Sequence, residues 1–228
     1  MEKIKIGIVI ADIDEYLPLE KKMDILGGTP IKIAGRRAHK FTVGNTDVTS
    51  VLCGIGKVNA AVAATALAEQ GAEIILNCGL SGGISGISKN EITVPNRFLE
   101  HDFDLTGIGY KPCEKPGQDY IYVADKKLST ALASKLENVK FGTAVSGDCF
   151  VADEELRTYL RDEFSAMSCD METAAVAYVC AAYGIKFAAI RKISDDAGSD
   201  AAVNYREINA LAEDTLINAI LSVIAEIG

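Results

Sequence analysis

Basic stretches are missing from this sequence. Its 228 residues hold 23 Lys and Arg against 32 Asp and Glu, and the formal net charge is -9. Nucleic acids and anionic membranes are bound through basic footprints, so neither is expected as a partner. Long apolar runs are missing too. None reaches about 18 residues without a charge or a glycine turn, which argues against a membrane span. The N-terminal "MEKIKIGIVIAD" runs straight into acids with no small-residue cleavage site, and reads as a first strand rather than a signal peptide. CxxC spacing is absent. The six cysteines (Cys53, Cys78, Cys113, Cys149, Cys169, Cys180) are scattered, mostly in apolar segments, as expected of buried free thiols in a reducing cytoplasm. Histidine is down to His39 and His101, neither with a ligand-spaced partner, so no metal site and no cofactor is expected.

What is present is a core. Hydrophobic residues make up 49% and charged residues 24%, the balance of a packed globular chain. Apolar strand patterns alternate with helical ones from end to end. "KIKIGIVIA" reads as a strand, and "EYLPLEKKMDILGG" as a helix with Pro18 in its first turn and a glycine pair as stop. "PIKIAGRR" and "HKFTVGNTDVTSVLCG" suggest antiparallel strands with a turn over 45–47. An Ala-rich helix, "GKVNAAVAATALAEQGAE", leads to the buried strand "EIILNCG" and a glycine loop, "SGGISG". "NEITVPNRFLE", "DYIYVAD", "VKFGTAVSGDCF", "AMSCDM" and "GIKFAAIRKISD" read as further strands, with a single closing helix over 204–227. No linker divides residues 1–228. The pattern predicts one α/β domain, a mixed twisted central β-sheet flanked by helices.

In such folds ligands gather where the carboxyl ends of strands open into loops. Five strand ends here close on glycines or acids: "IADIDE", "NCGLSGG", "VSGDCF", "CDME" and "RKISDD". Asp12, Asp14 and Glu15 follow the first strand, either as a helix cap or as a general base whose pKa is raised at a partly dry strand end. "GIGKVNAA" matches neither phosphate-binding glycine motif and favours a tight strand-to-helix turn. Phe150 suits a core position or a stacking face for a base. Asp195 ends an apolar strand, and strand alternation puts Arg191 on its face, where it could orient the acid. Glu172 heads "TAAVAYVCAAY", a helix without a charged residue. The helix dipole there is expected to lower its pKa and keep it ionised at neutral pH.

Taken together and in order, "KIGIVIADIDE", "GIGKVNAAVAATAL", "ILNCGLSGGI", "HDFDLTGIGY", "VSGDCFV", "DMETAAVAYVC" and "IRKISDDAG" resemble the 5′-methylthioadenosine/S-adenosylhomocysteine nucleosidases of the nucleoside phosphorylase superfamily. The resemblance runs from the first strand to the last helix. It implies a nucleoside phosphorylase-like fold, a cytoplasmic enzyme of methionine salvage, and hydrolysis of an adenine nucleoside without a cofactor. By resemblance, Glu15 activates the attacking water, Glu172 holds the ribose hydroxyls with Met171 lining the sugar, and Asp195 assists protonation of the purine at N7. Arg191 and Ser194 fall where the family positions that aspartate. Phe150 matches the residue that stacks on the purine, and Val151 the one whose backbone reads its edge. "HDFDLTGIGY" is similar to a segment lent by a dimer partner near the 5′ group, which makes Leu105, Ile108 and Tyr110 partner-site candidates in a homodimer. One departure stands out: Leu80 occupies a glycine-loop position where the family has a hydroxyl or a small residue. Ser81, followed by Gly82, is the candidate replacement at the site.

The division of labour is chemically sensible. Breaking an N-glycosidic bond builds positive charge on the sugar and negative charge on the base, so acids near the ribose, the water and the base each have a task. Two alternatives remain open at this point. A phosphorolytic relative would need arginines or a backbone anion nest, and the first turn offers acids instead. A nucleoside-binding protein that has lost turnover would have no need of all three acids.

Overall fold

The structure, a computed structural model, describes residues 3–209 and 214–228. The chain begins with β1 (Ile4–Ile10), α1 (Ile13–Glu20), α2 (Met23–Leu26), β2 (Thr29–Ile33), β3 (Arg36–Val43) and β4 (Thr46–Leu52). Next come α3 (Lys57–Glu69), β5 (Ile74–Gly83), β6 (Ile92–Thr93), β7 (Arg97–Glu100) and β8 (Tyr122–Val123). The remainder is α4 (Lys126–Ala133), β9 (Thr143–Ser146), α5 (Glu154–Phe164), β10 (Ala166–Asp170), α6 (Thr173–Tyr183), β11 (Lys186–Asp195), α7 (Ala201–Asn209) and α8 (Thr215–Ile227).

All described strands join one mixed sheet, ordered β2-β3-β4-β1-β5-β10-β9-β7-β8, with β11 and β6 branching from β5. The first half of β5 lies parallel to both β1 and β11, and its last residues, Gly82 and Gly83, turn to pair antiparallel with β10. Strand alternation sorts the side chains into two layers. Ile6, Ile8 and Ile10 of β1 point with Leu76 and Ile190 toward α1 and α8, meeting Leu19, Ile217, Ile220 and Ile224. Val9 and Ile75 point the other way, onto Ala60, Ala63, Ala64 and Leu67 of α3 and Ala174 and Val176 of α6. Fully burying each such aliphatic side chain contributes about 1.5–3 kcal/mol before chain entropy is charged against it. The alanines let α3 and α6 lie close together over the sheet. As a result β1, β5, β9, β10 and β11 all release their carboxyl ends toward one cavity.

Several sequence expectations need correction. The helix after β1 is two short pieces, and Pro18 lies in the second turn of α1 because the cap is Asp12. The proposed glycine loop is largely strand: Ser81 to Gly83 belong to β5 because β11 and β10 supply ladder partners there. "NEITVPNRFLE" is split into β6 and β7 around Pro95, which has no N–H to donate to a ladder. The closing segment is described as α7 and α8, and residues 210–213 of the expected single helix lie outside the described residues. Among the described residues, no helix is long and apolar enough to cross a membrane.

Candidate active site

Three strand ends deliver three carboxylates to the same cavity, which has a volume of about 270 Å³. Its wall includes Glu15 after β1, Leu80, Ser81 and Gly82 of β5, Cys149 to Val151 after β9, Asp170 to Glu172 at the β10–α6 junction, Ser194 and Asp195 of β11, and Tyr205 of α7.

Glu15 serves as cap residue and cavity acid at once. Asp12, in extended conformation, accepts the Asp14 N–H at 2.8 Å, and Glu15 Oε2 reaches back to the Asp12 N–H at 3.4 Å, a capping box. The other oxygen, Oε1, accepts the Leu80 N–H at 2.7 Å. Burial pushes the Glu15 pKa up to about 8, opposed by Arg191 and by the Leu80 N–H and reinforced by Glu172 and Asp12. The close approach to β5 depends on Gly79. A Cβ at that position would lie 2.5 Å from Arg191 Nη1 and 2.8 Å from Glu15 Oε2.

Glu172 is not the helix-capping anion expected from its position. Asp170 does that work: its Oδ1 accepts the N–H groups of Glu172 and Thr173, each at 3.0 Å. Freed from capping, Glu172 turns into the cavity, where Oε1 accepts the Gly56 N–H at 2.9 Å and Oε2 lies 3.9 Å from Arg191 Nη2. Its pKa is raised to about 7 rather than lowered. Burial is the largest cause, the Arg191 charge pulls it down, and Asp170 pushes it up again. Desolvation outweighs the helix dipole because Glu172 is only 5% exposed. The "GIGK" turn behaves as a turn: Gly56, at φ +100, gives its N–H to Glu172, and the Lys57 N–H goes to Asp148 at 2.8 Å. Two N–H donors at the head of α3, those of Gly56 and Lys57, are thus taken by the protein's own carboxylates.

Asp195 is held differently. Ser194 Oγ donates to its Oδ2 at 2.6 Å, and the Ala197 N–H donates to Oδ1 at 2.8 Å. Burial still raises its pKa above the usual carboxylate range, against the Ser194 hydrogen bond. Arg191 does not orient it. The β5–β11 register slips between Ile193 and Asp195, so the alternation that would place both on one face is broken. Arg191 instead lies under the floor, donating to Asn77 Oδ1 at 2.6 Å, to the Leu80 carbonyl at 3.2 Å and to Thr173 Oγ1, and pairing with Asp170 at 3.4 Å.

Phe150 is 46% exposed and meets Tyr205 edge to face, ring centroids 5.7 Å apart, making an aromatic wall beside Asp195. Val151 is buried at the same wall, and Met171 lines the side near Glu172. Ser81 also lines the cavity, and its buried hydroxyl has no hydrogen-bond partner. Leu105, Ile108 and Tyr110 are not in this wall. They sit on and beside a single 3-10 turn over Thr106–Ile108, with Ile108 73% exposed. Sequence reasoning missed Tyr205, whose helix carried no motif. It also passed over Asp170, although an aspartate two and three residues before the first N–H groups of an apolar helix is a capping signal.

The chain matches the family model described as Phosphorylase superfamily over residues 5–225. The 5′-methylthioadenosine/S-adenosylhomocysteine nucleosidase of Actinobacillus succinogenes is 32% identical, covering 98% of this chain and 100% of the relative. That of Haemophilus influenzae strain PittGG is 31% identical over 97% and 99%. The Helicobacter pylori nucleosidase solved with butyl-thio-DADMe-Immucillin-A superimposes with a TM-score of 0.92 at 26% identity, covering 99% of this chain and 100% of that one. Futalosine hydrolase of Helicobacter pylori superimposes nearly as well, with a TM-score of 0.91 at 26% identity over 98% of each chain. With three acids brought together on this sheet and near full-length relatives of one kind, the chain belongs to the phosphorylase superfamily and, within it, to the 5′-methylthioadenosine/S-adenosylhomocysteine nucleosidases.

Proposed function

We propose that this nucleosidase hydrolyses the N-glycosidic bond of a 5′-substituted adenine nucleoside, 5′-methylthioadenosine or S-adenosylhomocysteine, and releases adenine. The observation that carries the reading is the gathering of Glu15, half-buried, with Glu172 and Asp195, both buried, around one cavity, each with a raised pKa. In this reading the purine lies against Phe150 and Tyr205, with Asp195 at its N7 side and the Val151 backbone at its edge. As the bond stretches, Asp195 delivers a proton toward the base, relieving its negative charge. Glu172 binds the ribose hydroxyls and faces the developing cationic sugar. Glu15 takes the proton from the attacking water, and its site beside the Leu80 N–H fixes the direction of attack.

Hydrolysis is favoured over phosphorolysis by the lining itself. Among the described residues the cavity wall holds Asp12, Glu15, Asp170, Glu172 and Asp195 and no lysine or arginine, a poor seat for a phosphate dianion. Adenine release from 5′-methylthioadenosine is expected to be unchanged by added phosphate; a strict requirement for phosphate would overturn the hydrolase reading. The likeness to a futalosine hydrolase makes futalosine the third substrate to include beside the two adenine thioethers. The sign of the pH dependence follows from the roles. Glu15 must be ionised to accept a proton, so kcat/KM falls as pH drops through about 8, approaching tenfold per unit. Asp195 must carry a proton to deliver it, so its titration, shifted upward by burial, limits the rate in the opposite sense.

The same reading places the enzyme in the cytoplasm as a homodimer. The exposed apolar side chains of Ile55, in the cavity wall, and of Ile108, on the 3-10 turn, support a second copy that brings Leu105, Ile108 and Tyr110 toward the 5′ end of the neighbouring site. Light scattering at twice the monomer mass, reduced to monomer by Ile108→Asp, checks this.

A further inference from the structure

The cavity acids stand above a buried charge cluster that the chemistry does not use directly. One guanidinium, Arg191 at 1% exposure, faces three carboxylates. Asp170 lies 3.4 Å from Nη2 and Glu172 lies 3.9 Å from the same nitrogen. Nη1 shares with Glu15 the space that a Gly79 Cβ would fill. The three acids are not equally solvated by the protein. Asp170 accepts from Ser146 Oγ at 2.6 Å, from the Glu172 and Thr173 N–H groups at 3.0 Å each, and from Thr173 Oγ1. Glu172 and Glu15 have far fewer donors. A carboxylate fixed by so many donors is held in place to engage the single cation.

We propose that Asp170 is a positioning residue that engages Arg191 and so decides how much of that positive charge reaches Glu15 and Glu172. Without it the guanidinium would hold both cavity acids as anions, and the proton that moves between them, water and bulk would be lost at a lower pH. Asp170 therefore tunes the base through Arg191, with its own side chain almost fully buried at the wall. Other titratable groups facing the cluster are Asp12 and Asp14 beside Glu15, Cys53 after β4, Cys78 of β5, Tyr205 of α7, and, on the Asp170 side, His101 and Cys169. Lys192 faces Glu15 from behind, across a smaller cavity it shares with Asp14. All of these stay constant in the comparison below.

The inference rests on Glu15 being the base, and two isosteric changes of opposite sign test it. Asp170→Asn keeps an oxygen for the Glu172 and Thr173 N–H groups and removes one negative charge from Arg191. It is expected to move the acidic limb of kcat/KM down by about one pH unit. Asn77→Asp adds a negative charge on the same guanidinium, where Asn77 Oδ1 already accepts from Nη2, and should move the limb up by a similar amount. General damage to packing cannot produce opposite shifts. Limbs that stay put in both variants, or move the same way, overturn the proposal. If Asp170→Asn does not fold, Asn77→Asp decides alone, an upward shift supporting the proposal and any other result ending it. Carboxyl carbon-13 titration of the ligand-free proteins reads the same shifts without turnover. Glu15→Gln separates the two claims: full turnover in that variant would refute the base assignment, while the titrations would still report on Asp170.

Discussion

The two ends of the cavity handle buried acid in contrasting ways. At the end proposed for the sugar and the water, three carboxylates face one guanidinium. At the end proposed for the base, Asp195 is served by a serine hydroxyl and one backbone N–H, with the aromatic pair Phe150 and Tyr205 in the same wall. The difference fits the chemistry proposed for each end. A cationic sugar and a water molecule call for anions whose ionisation can be tuned, which needs a counter-ion close by. A departing purine calls for a proton and a flat apolar wall, and a nearby cation would lower the pKa of the acid meant to deliver that proton.

The contrast can be broken most severely at the sugar end. Glu15→Gln should lower turnover by roughly 10²–10⁴-fold with substrate binding largely retained. The same variant should be more stable than the parent at neutral pH. Glu15 has a folded pKa raised from 4.5 to about 8. The stability tied to its protonated form is therefore fully present below the unfolded value and lost as pH rises through the folded one. Gln escapes that loss, so a gain on the order of 1–3 kcal/mol is expected in urea melts at pH 8 and little change at pH 4. Equal stability at pH 8 would mean that Arg191 compensates the ionised Glu15 completely.

Gly79→Ala attacks the same end sterically. The new Cβ would meet Arg191 and Glu15 at 2.5 and 2.8 Å on strand β5, and both hydrogen-bonded side chains would have to shift. A loss of about 1–3 kcal/mol in stability is expected, with turnover falling alongside it. At the base end the effects should be smaller and depend on the leaving group. Asp195→Asn should slow adenine nucleosides by about 100-fold, the lower end of general-acid effects. It should barely affect a 5′-methylthioriboside whose leaving group, such as p-nitrophenolate, needs no proton. Equal slowing of both would move Asp195 out of its proton-donor role. Smallest is Phe150→Ala, which removes one stacking face worth about 1–3 kcal/mol and should appear mainly in KM. If kcat falls as strongly as KM rises, Phe150 acts in the transition state and the aromatic wall is more than a seat.

Much of this was legible before any coordinates. Local pattern was enough for the strand ends and for Glu172 and Asp195, because an acid after an apolar strand stands out against its neighbours; only the family resemblance picked Glu15 from Asp12 and Asp14. The errors share a cause: each depended on a neighbour that the pattern does not show. Ser81 to Gly83 looked like a loop until β10 and β11 supplied partners. Arg191 and Asp195 looked co-facial until the register slip near Ser194. Glu172 looked like a cap with a lowered pKa until Asp170 took the cap and burial took over the titration. Tyr205 had no local signal at all; it counts only because α7 folds back across Phe150.

By itself, then, the sequence determined the α/β alternation, the acids at the strand ends and the family. The first two follow from residue spacing and from which side chains a strand or helix can bury, and the family from the resemblance of the motifs in their order. Only the tertiary structure decided which of those acids meet, which one Arg191 serves, and which way each pKa moves. Those quantities depend on distance and dielectric between residues far apart in the chain, such as Glu15, Asp170 and Arg191, and no local pattern encodes either.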